Sequence, residues 1–260
     1  MKHLLIGPGA MGFFIYLGYL TKLKDSGRLV DLEEISGASA GSLLAFLFLA
    51  SKGDCSDILD FALQVPVKQI MKVNLKTLLK QFGLVPHEKL LKTVKTVCEK
   101  YFGKPDVTFK ELYEWNPIKL HVSAFCVDLT RTMYFSVDNA PDMSVCQAVT
   151  ASMAVPFLVS AVRIGEWHFI DGGATEEIPG GPFMGKKRDD VFCMKLANAS
   201  RYDVKDFKSY AFTILSSIQS MRHMYDVPFK DIDCEGVDIF DFGADSKTKL
   251  KMFLYGNSQL

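Results

Sequence analysis

Gly37-Ala38-Ser39-Ala40-Gly41-Ser42 is the stretch from which this chain is best read. It follows a segment, Val30–Ser36, within which a strand is expected, and it precedes Leu43–Ala50, an apolar run of core-helix length, too short to cross a membrane. GxSxG between a strand and a helix is the setting of a nucleophile elbow, a tight turn that lifts the serine Oγ clear of the backbone. Small residues on both sides of Ser39 keep that corner uncrowded. The same pattern also occurs in plain glycine-serine turns, so the reading needs partners elsewhere in the chain.

Upstream, Leu4-Leu5-Ile6 reads as a buried strand, and Phe13–Leu23 as a helix apolar nearly all round and therefore buried. Between them runs Gly7-Pro8-Gly9-Ala10-Met11-Gly12. Glycines let the backbone turn sharply and present N–H groups outward, and the next helix adds its free N–H groups and dipole. Such a corner binds an anion. A dinucleotide pyrophosphate fits, because the segment matches GxGxxG and Glu33 lies roughly 20 residues on. The oxyanion of an acyl-transfer intermediate also fits, held by amides of Gly7, Gly9, Ala10 and Gly12. The loop alone does not choose. The elbow weighs for the second reading, because a dinucleotide domain would end its second strand with a ribose-gripping acid and has no use for an exposed serine there.

Downstream, Arg163–Ile170 reads as a strand ending at Asp171-Gly172-Gly173. Asp-Gly is also an ordinary turn signal. A serine needs a base to become a nucleophile. None of the five histidines (His3, His87, His121, His168 and His223) sits in a catalytic context, and no two have metal-ligand spacing. His168 lies three residues before Asp171, and residues three apart in a strand face opposite ways. A Ser39–Asp171 dyad is the economical arrangement, with Gly37 and Gly41 supporting the elbow and Gly172 and Gly173 the turn.

The remainder sets the frame. The chain has 260 residues, 48 % of them hydrophobic, and no net charge, so nothing global draws it to nucleic acid. Amphipathic helices fill about 56–102, punctuated by Pro66, Gly83, Pro86 and Gly103. Lys68, Lys72, Lys76 and Lys80 share one helical face there, either simply solvated or touching an anionic lipid surface. Further strands are expected at Ile118–Phe125, Met133–Val137, Asp189–Lys195 and Val237–Phe240, and helices at Ser144–Val155 and Lys205–Met224. Strands alternating with helices imply a parallel sheet covered on both faces. Without a repeat or linker, 1–260 reads as a single domain, with the 56–102 helices inserted after the nucleophile helix. Six irregularly spaced cysteines without a CxxC pair read as buried free thiols in a reducing, cytoplasmic setting. His3–Thr21 carries no fixed charge, but Gly7, Pro8, Gly9 and Gly12 interrupt it and no small-x-small site ends it, which weighs against export or membrane spanning.

The order of glycine-rich loop, GxSxG elbow and DGG resembles the patatin-like phospholipase family. The likeness extends to Gly83–Tyr113 with Thr108–Tyr113, to Leu120–Asp128, and to Ala148–Phe157 with Ala151-Ser152 and Val155-Pro156-Phe157, and it ends at Phe169–Gly173. It covers roughly residues 3–180. The resemblance implies a three-layer α/β/α fold around a mostly parallel central sheet. It implies Ser39 as nucleophile, Asp171 as base, and oxyanion amides around Gly9 and Ala10. The expected reaction is hydrolysis of acyl chains from phospholipids or neutral glycerolipids, without metal or cofactor and with transient contact at a membrane surface. Phe13, Phe14, Phe46, Phe157 and Leu158 are candidate walls for the lipid. The loop departs from the family pattern at Pro8, which has no N–H, and at Met11, where a basic residue is common. The run Ala174–Pro179 lacks the usual asparagine. Those departures keep a lipid-binding or scaffold protein of the same fold as the runner-up, with a dinucleotide-binding oxidoreductase third.

Overall fold

Strand β1 (His3–Ile6) is buried throughout and lies at the heart of an eight-stranded sheet. Its side chains alternate as strand geometry requires: Leu4 and Ile6 face the main core, and Leu5 faces a smaller cluster with Ile178, Phe183, Val191 and Cys193. The computed structural model describes residues 1–74, 77–78, 81–197, 210, 213–214 and 225–260. The elements that cover the sheet and carry the site are α1 (Phe13–Asp25), β2 (Glu34–Ala38), α2 (Ala40–Ala50), α3 (Cys55–Gln64), α4 (Val67–Ile70), β3 (Gly83–Val85), α5 (His87–Phe102) and α6 (Phe109–Trp115). There follow β4 (Lys119–Cys126), β5 (Arg131–Phe135), α7 (Val145–Ser152), β6 (Phe157–Val159), β7 (Val162–Ile164), β8 (Trp167–Asp171), β9 (Val191–Ala197), β10 (Phe229–Asp233) and α8 (Ser246–Asn257).

The sheet order is β10-β9-β1-β2-β4-β8-β7, with β5 also on β4. Pairing is parallel from β10 to β4 and antiparallel where β4 meets β5 and β8 and where β8 meets β7. The fold is thus mixed α/β, a mostly parallel central sheet flanked by helices. β4 is the template for the site. Its Lys119–Ser123 pairs with β2, ending at Ala38 opposite Ser123; the next residue, Ala124, pairs with Asp171 of β8. Because β2 runs with β4 and β8 runs against it, the C-terminal ends of β2 and β8 meet along the same strand.

Several expectations shift. The second strand, expected within Val30–Ser36, is Glu34–Ala38, running two residues further toward the serine, and Val30 sits exposed in a turn before it. Arg163–Ile170 is not one strand but the hairpin β7–β8, closed at Gly165-Glu166 with Gly165 at φ +61°, a conformation suited to a two-residue turn. Val237–Phe240 contains turns and no strand; the edge strand is Phe229–Asp233, whose alternating charges hide it from a hydropathy reading. The 133–137 strand lies instead at Arg131–Phe135. The helical insertion holds α3, α4 and α5 but also β3, which pairs in parallel with β6 as a separate small sheet. Helix α8 has no counterpart in the sequence reading. Asp245 caps it by accepting from the Thr248 N–H, and it packs on α1 so closely that a Cβ at Gly256 would lie 2.0 Å from the Ile15 carbonyl oxygen. Lys205–Met224, expected as an amphipathic helix, falls outside the described residues except at 210 and 213–214. All six cysteines are buried and free. Among the described residues no helix is long and apolar enough to cross a membrane.

Candidate active site

Ser39 sits on the single residue between β2 and α2, at φ +54° and ψ −125°. A non-glycine residue is rarely found there, and the strain marks the elbow. The turn closes because its flanks lack side chains: a Cβ at Gly37 would lie 2.5 Å from Ser42 Cα, and one at Gly41 would lie 2.2 Å from the Ile6 carbonyl oxygen. The elbow is tied on two sides. The Ser39 N–H donates to Ser152 Oγ at 2.9 Å, and Ser42 Oγ donates to the Ser39 carbonyl at 2.7 Å. Ser39 Oγ donates to Asp171 Oδ2 at 2.6 Å.

Asp171 is the last residue of β8 and only 3 % exposed. Its Oδ1 accepts the Gly173 N–H at 2.6 Å, so the DGG turn holds the carboxyl while leaving Oδ2 to the serine. Burial pushes the carboxyl up to about 7, against the pull of the hydrogen bonds from Ser39 and Gly173. Gly172 is pressed against Ser123 of β4, and Gly173 against Pro8, whose Cβ would lie 2.4 Å from a Cβ at Gly173. The glycine-rich loop and the DGG turn are therefore in van der Waals contact.

Within that loop the amides divide. The Gly7 N–H donates to the Met194 carbonyl at 3.0 Å, continuing the β1–β9 ladder, and the Gly12 N–H donates to Gly9 at 2.7 Å. Met11 donates to the Ile239 carbonyl at 2.8 Å. The N–H groups of Gly9 and Ala10 find no acceptor among the described residues. Ala10 is strained at φ +45° and shares a wall with Ser39. Tyr16 braces the loop from below: its hydroxyl donates to the Pro8 carbonyl at 3.2 Å and accepts from the Leu196 N–H at 3.1 Å.

In front of Ser39 lies an apolar cavity of about 170 Å³, walled by Met11, Phe13, Phe14, Leu43, Leu47 and Val94 among others. Of the expected wall residues only Phe13 and Phe14 line it. Phe46 is core, and Phe157 and Leu158 lie outside the lining, Phe157 turned to solvent. Four histidines are described, and none reaches Ser39. His3 and His121 stand by Glu34, His87 by Ser160, and His168 by Asp128, away from Asp171. Glu33 precedes β2 and is bonded to Lys2 at the surface, at the opposite end of the strand from the one a dinucleotide ribose would need. Among the described residues the group nearest to a metal-ligand set is Cys98, Asp106 and Cys146. The two thiols there share a hydrogen bond at 3.2 Å, and that bond together with burial pushes the Cys146 thiol up.

Sequence reasoning missed the supports that act at long range. Beyond Ser152 and Tyr16, Glu176 is buried five residues after Asp171 and accepts from the hydroxyls of Tyr134 and Tyr225. Gly181 N–H donates to the same Tyr134 oxygen at 3.2 Å, and Ser36 Oγ donates to the Pro179 carbonyl at 2.7 Å. This brace fastens the loop behind DGG where the family's asparagine is absent. The only local signal for it was the pair Glu176-Glu177 in an otherwise apolar stretch.

Fold and site together define an α/β protein with a serine elbow in direct contact with a buried acid. The family model for patatin-like phospholipases matches residues 4–184, and the chain belongs to that family. It is similar to probable lipid hydrolase 463L of Invertebrate iridescent virus 6, at 26 % identity over 68 % of this chain and 61 % of that one. It is also similar to uncharacterized protein R571 of Acanthamoeba polyphaga mimivirus, at 22 % identity over 98 % of this chain and 91 % of that one. Among solved structures the fold resembles VipD of Legionella pneumophila, with a TM-score of 0.61, 17 % identity, and coverage of 99 % of this chain and 65 % of that one. The type III effector ExoU of Pseudomonas aeruginosa gives a TM-score of 0.54 at 15 % identity, covering 98 % of this chain and 51 % of that one. The match thus spans less than two thirds of 463L, of VipD and of ExoU.

Proposed function

We propose that the chain is a lipid acyl hydrolase of phospholipase A type, working through a Ser39–Asp171 dyad and an acyl-enzyme. The observation that carries this is the 2.6 Å hydrogen bond from Ser39 Oγ to a buried Asp171, facing an apolar cavity. Ser39 Oγ attacks the ester carbonyl and its proton passes to Asp171 Oδ2. The free N–H groups of Gly9 and Ala10, with the N-terminus of α2 behind Ser39, receive the oxyanion. Gly7 and Gly12, whose N–H groups donate to the Met194 and Gly9 carbonyls, shape the loop without serving the oxyanion. The tetrahedral intermediate collapses, Asp171 returns the proton to the departing alcohol, and the acyl chain stays on Ser39 with its tail in the cavity. Water then attacks the acyl-serine, Asp171 takes its proton, and the fatty acid leaves as the serine regains its hydrogen. A carboxyl held near 7 is matched to proton transfer at neutral pH. The substrate class is phospholipid or neutral glycerolipid, met in transient contact with a bilayer or micelle surface, which is consistent with a cytoplasmic protein associating peripherally. No metal or cofactor enters the scheme.

The absent Pro8 N–H favours one rival, a lipid-binding protein with little turnover. One experiment separates them: reaction with a fluorophosphonate probe and turnover of a phospholipid by the wild type, Ser39→Ala and Asp171→Asn. Labelling and turnover by the wild type alone support the dyad. A folded wild type that binds lipid but neither labels nor turns over sinks it in favour of the rival.

A further inference from the structure

Two phenylalanines stand on the outside of the cavity wall where packing does not ask for them. Phe82 immediately precedes β3 and Phe157 opens β6, and Gly83 pairs with Phe157 across the small parallel sheet. Phe82 is 70 % exposed and Phe157 53 %. Both have positive φ, +63° and +66°, a conformation that bulky residues seldom adopt. Val73, 56 % exposed, joins them: the neighbouring Asn74 N–H donates to the Leu84 carbonyl of β3 at 2.6 Å. The patch is continuous with the cavity, because Val67, Ile70 and Met71 on one side and Val155 and Val159 on the other belong to its lining.

The stretches of sequence that carry this patch are one-sided in charge within a chain that is neutral overall. Between Asp60 and Glu88 there is no acidic residue, while Lys68, Lys72, Lys76 and Lys80 all fall there. Between Asp142 and Glu166 there is again no acidic residue, and Arg163 is present. Lys68 and Lys72 are exposed. An apolar tip on two stretches of chain that carry basic residues and no acid is the chemistry of an anionic lipid surface: aromatic side chains enter the headgroup boundary and lysines meet the phosphates.

We propose that Val73, Phe82 and Phe157 form the edge that enters a bilayer, seated by Lys68 and Lys72 against anionic headgroups. The cavity then opens into the membrane, and a lipid tail slides in without crossing water. The proposal rests on the reading of that cavity as the acyl site, and it names which face docks and which lipid charge it selects.

The test is co-sedimentation of the full chain with phosphatidylserine–phosphatidylcholine vesicles and with phosphatidylcholine vesicles alone. The variants are Phe82→Asn/Phe157→Asn, chosen because asparagine accepts positive φ, and Lys68→Gln/Lys72→Gln. The wild type is expected to prefer the anionic vesicles. The double asparagine variant is expected to lose about 30-fold in partitioning, from two largely exposed rings no longer buried. Each lysine removed is expected to cost about 5-fold at low salt, fading as salt rises. Fluorophosphonate labelling of Ser39 in lipid-free buffer is expected to match the wild type in both variants. Undiminished vesicle binding by the asparagine variant overturns the proposal, as does equal binding to neutral vesicles. A wild type that ignores vesicles but runs as a dimer broken by the same substitutions also overturns it, in favour of a second copy on this face. Loss of Ser39 labelling in the wild type, by contrast, strikes the hydrolase reading and leaves vesicle binding to be judged separately.

Discussion

Replacing Asp171 by asparagine should destroy activity and stabilise the protein, and the stabilisation should grow with pH. The shape of the side chain is kept: Oδ1 can still accept from Gly173, while the amide that replaces Oδ2 offers Ser39 a donor where it needs an acceptor. Burial raises the carboxyl from an ordinary 3.8 to about 7 in the folded chain. The folded state therefore favours the protonated form. The contribution of Asp171 to stability is full below about pH 4 and is lost as pH rises to about 7, for a total of about 4 kcal/mol. Asparagine has no proton to lose and escapes this decline. Between about pH 5 and pH 8 the gap between variant and wild type should widen by about 3 kcal/mol, or about 1 M in urea midpoint at the slope expected for a chain of this size. All other titrating groups are shared and cancel in the difference. The measurement is paired urea unfolding at the two pH values, with the pH dependence of the fluorophosphonate labelling rate of the wild type, which should rise through about 7. A stability gap that does not change with pH, or one that narrows, would refute a buried carboxyl forced to ionise in place.

Three further outcomes follow from contacts in the site. Gly173→Ala puts a Cβ 2.4 Å from Pro8 Cβ and 2.9 Å from Asp171 Oδ1. Displacing both the base and the oxyanion loop should lower kcat/KM on a short-chain ester by about 10²-fold, and unchanged kinetics would contradict the tight contact. Leu43→Trp partly fills the 170 Å³ cavity, so turnover of long-chain nitrophenyl esters should fall at least about tenfold relative to the acetate; an unchanged chain-length profile would place the acyl chain elsewhere. Tyr134→Phe removes one of the hydroxyls that hold buried Glu176 and should cost about 1–3 kcal/mol in urea unfolding.

What the sequence disclosed was whatever is demanded within a few residues. The elbow is legible because its steric needs, glycine at 37 and 41 around a strained serine, are written next to one another. The acid-glycine-glycine turn is legible for the same reason. Which amides of the glycine loop stay free was hidden, since Gly7 and Met11 are silenced by carbonyls of Met194 and Ile239, far along the chain. Ser152, Tyr16 and Glu176 were equally hidden, as each supports the site across the tertiary fold. The hairpin at Gly165-Glu166 was overlooked because apolar residues on both sides of it read as one run. Helix α8 escaped because lysines at 247, 249 and 251 mask a helix that packs through Gly256 and Met252.

The meeting of β2 and β8 on β4 has a consequence for how the protein comes to life. Ser39 and Asp171 are 132 residues apart, and their contact is made only when β4 has received one strand from each direction. A growing chain that has reached β4 holds the residues of the elbow, of the glycine loop and of much of the cavity wall, but not Asp171. If the dyad works as proposed, the hydroxyl gains its base only when the β7–β8 hairpin docks on β4, because Asp171 is carried on β8. On the proposed dyad, reactivity is thus a property of the finished sheet, since the contact between Ser39 and Asp171 needs a strand on each side of β4.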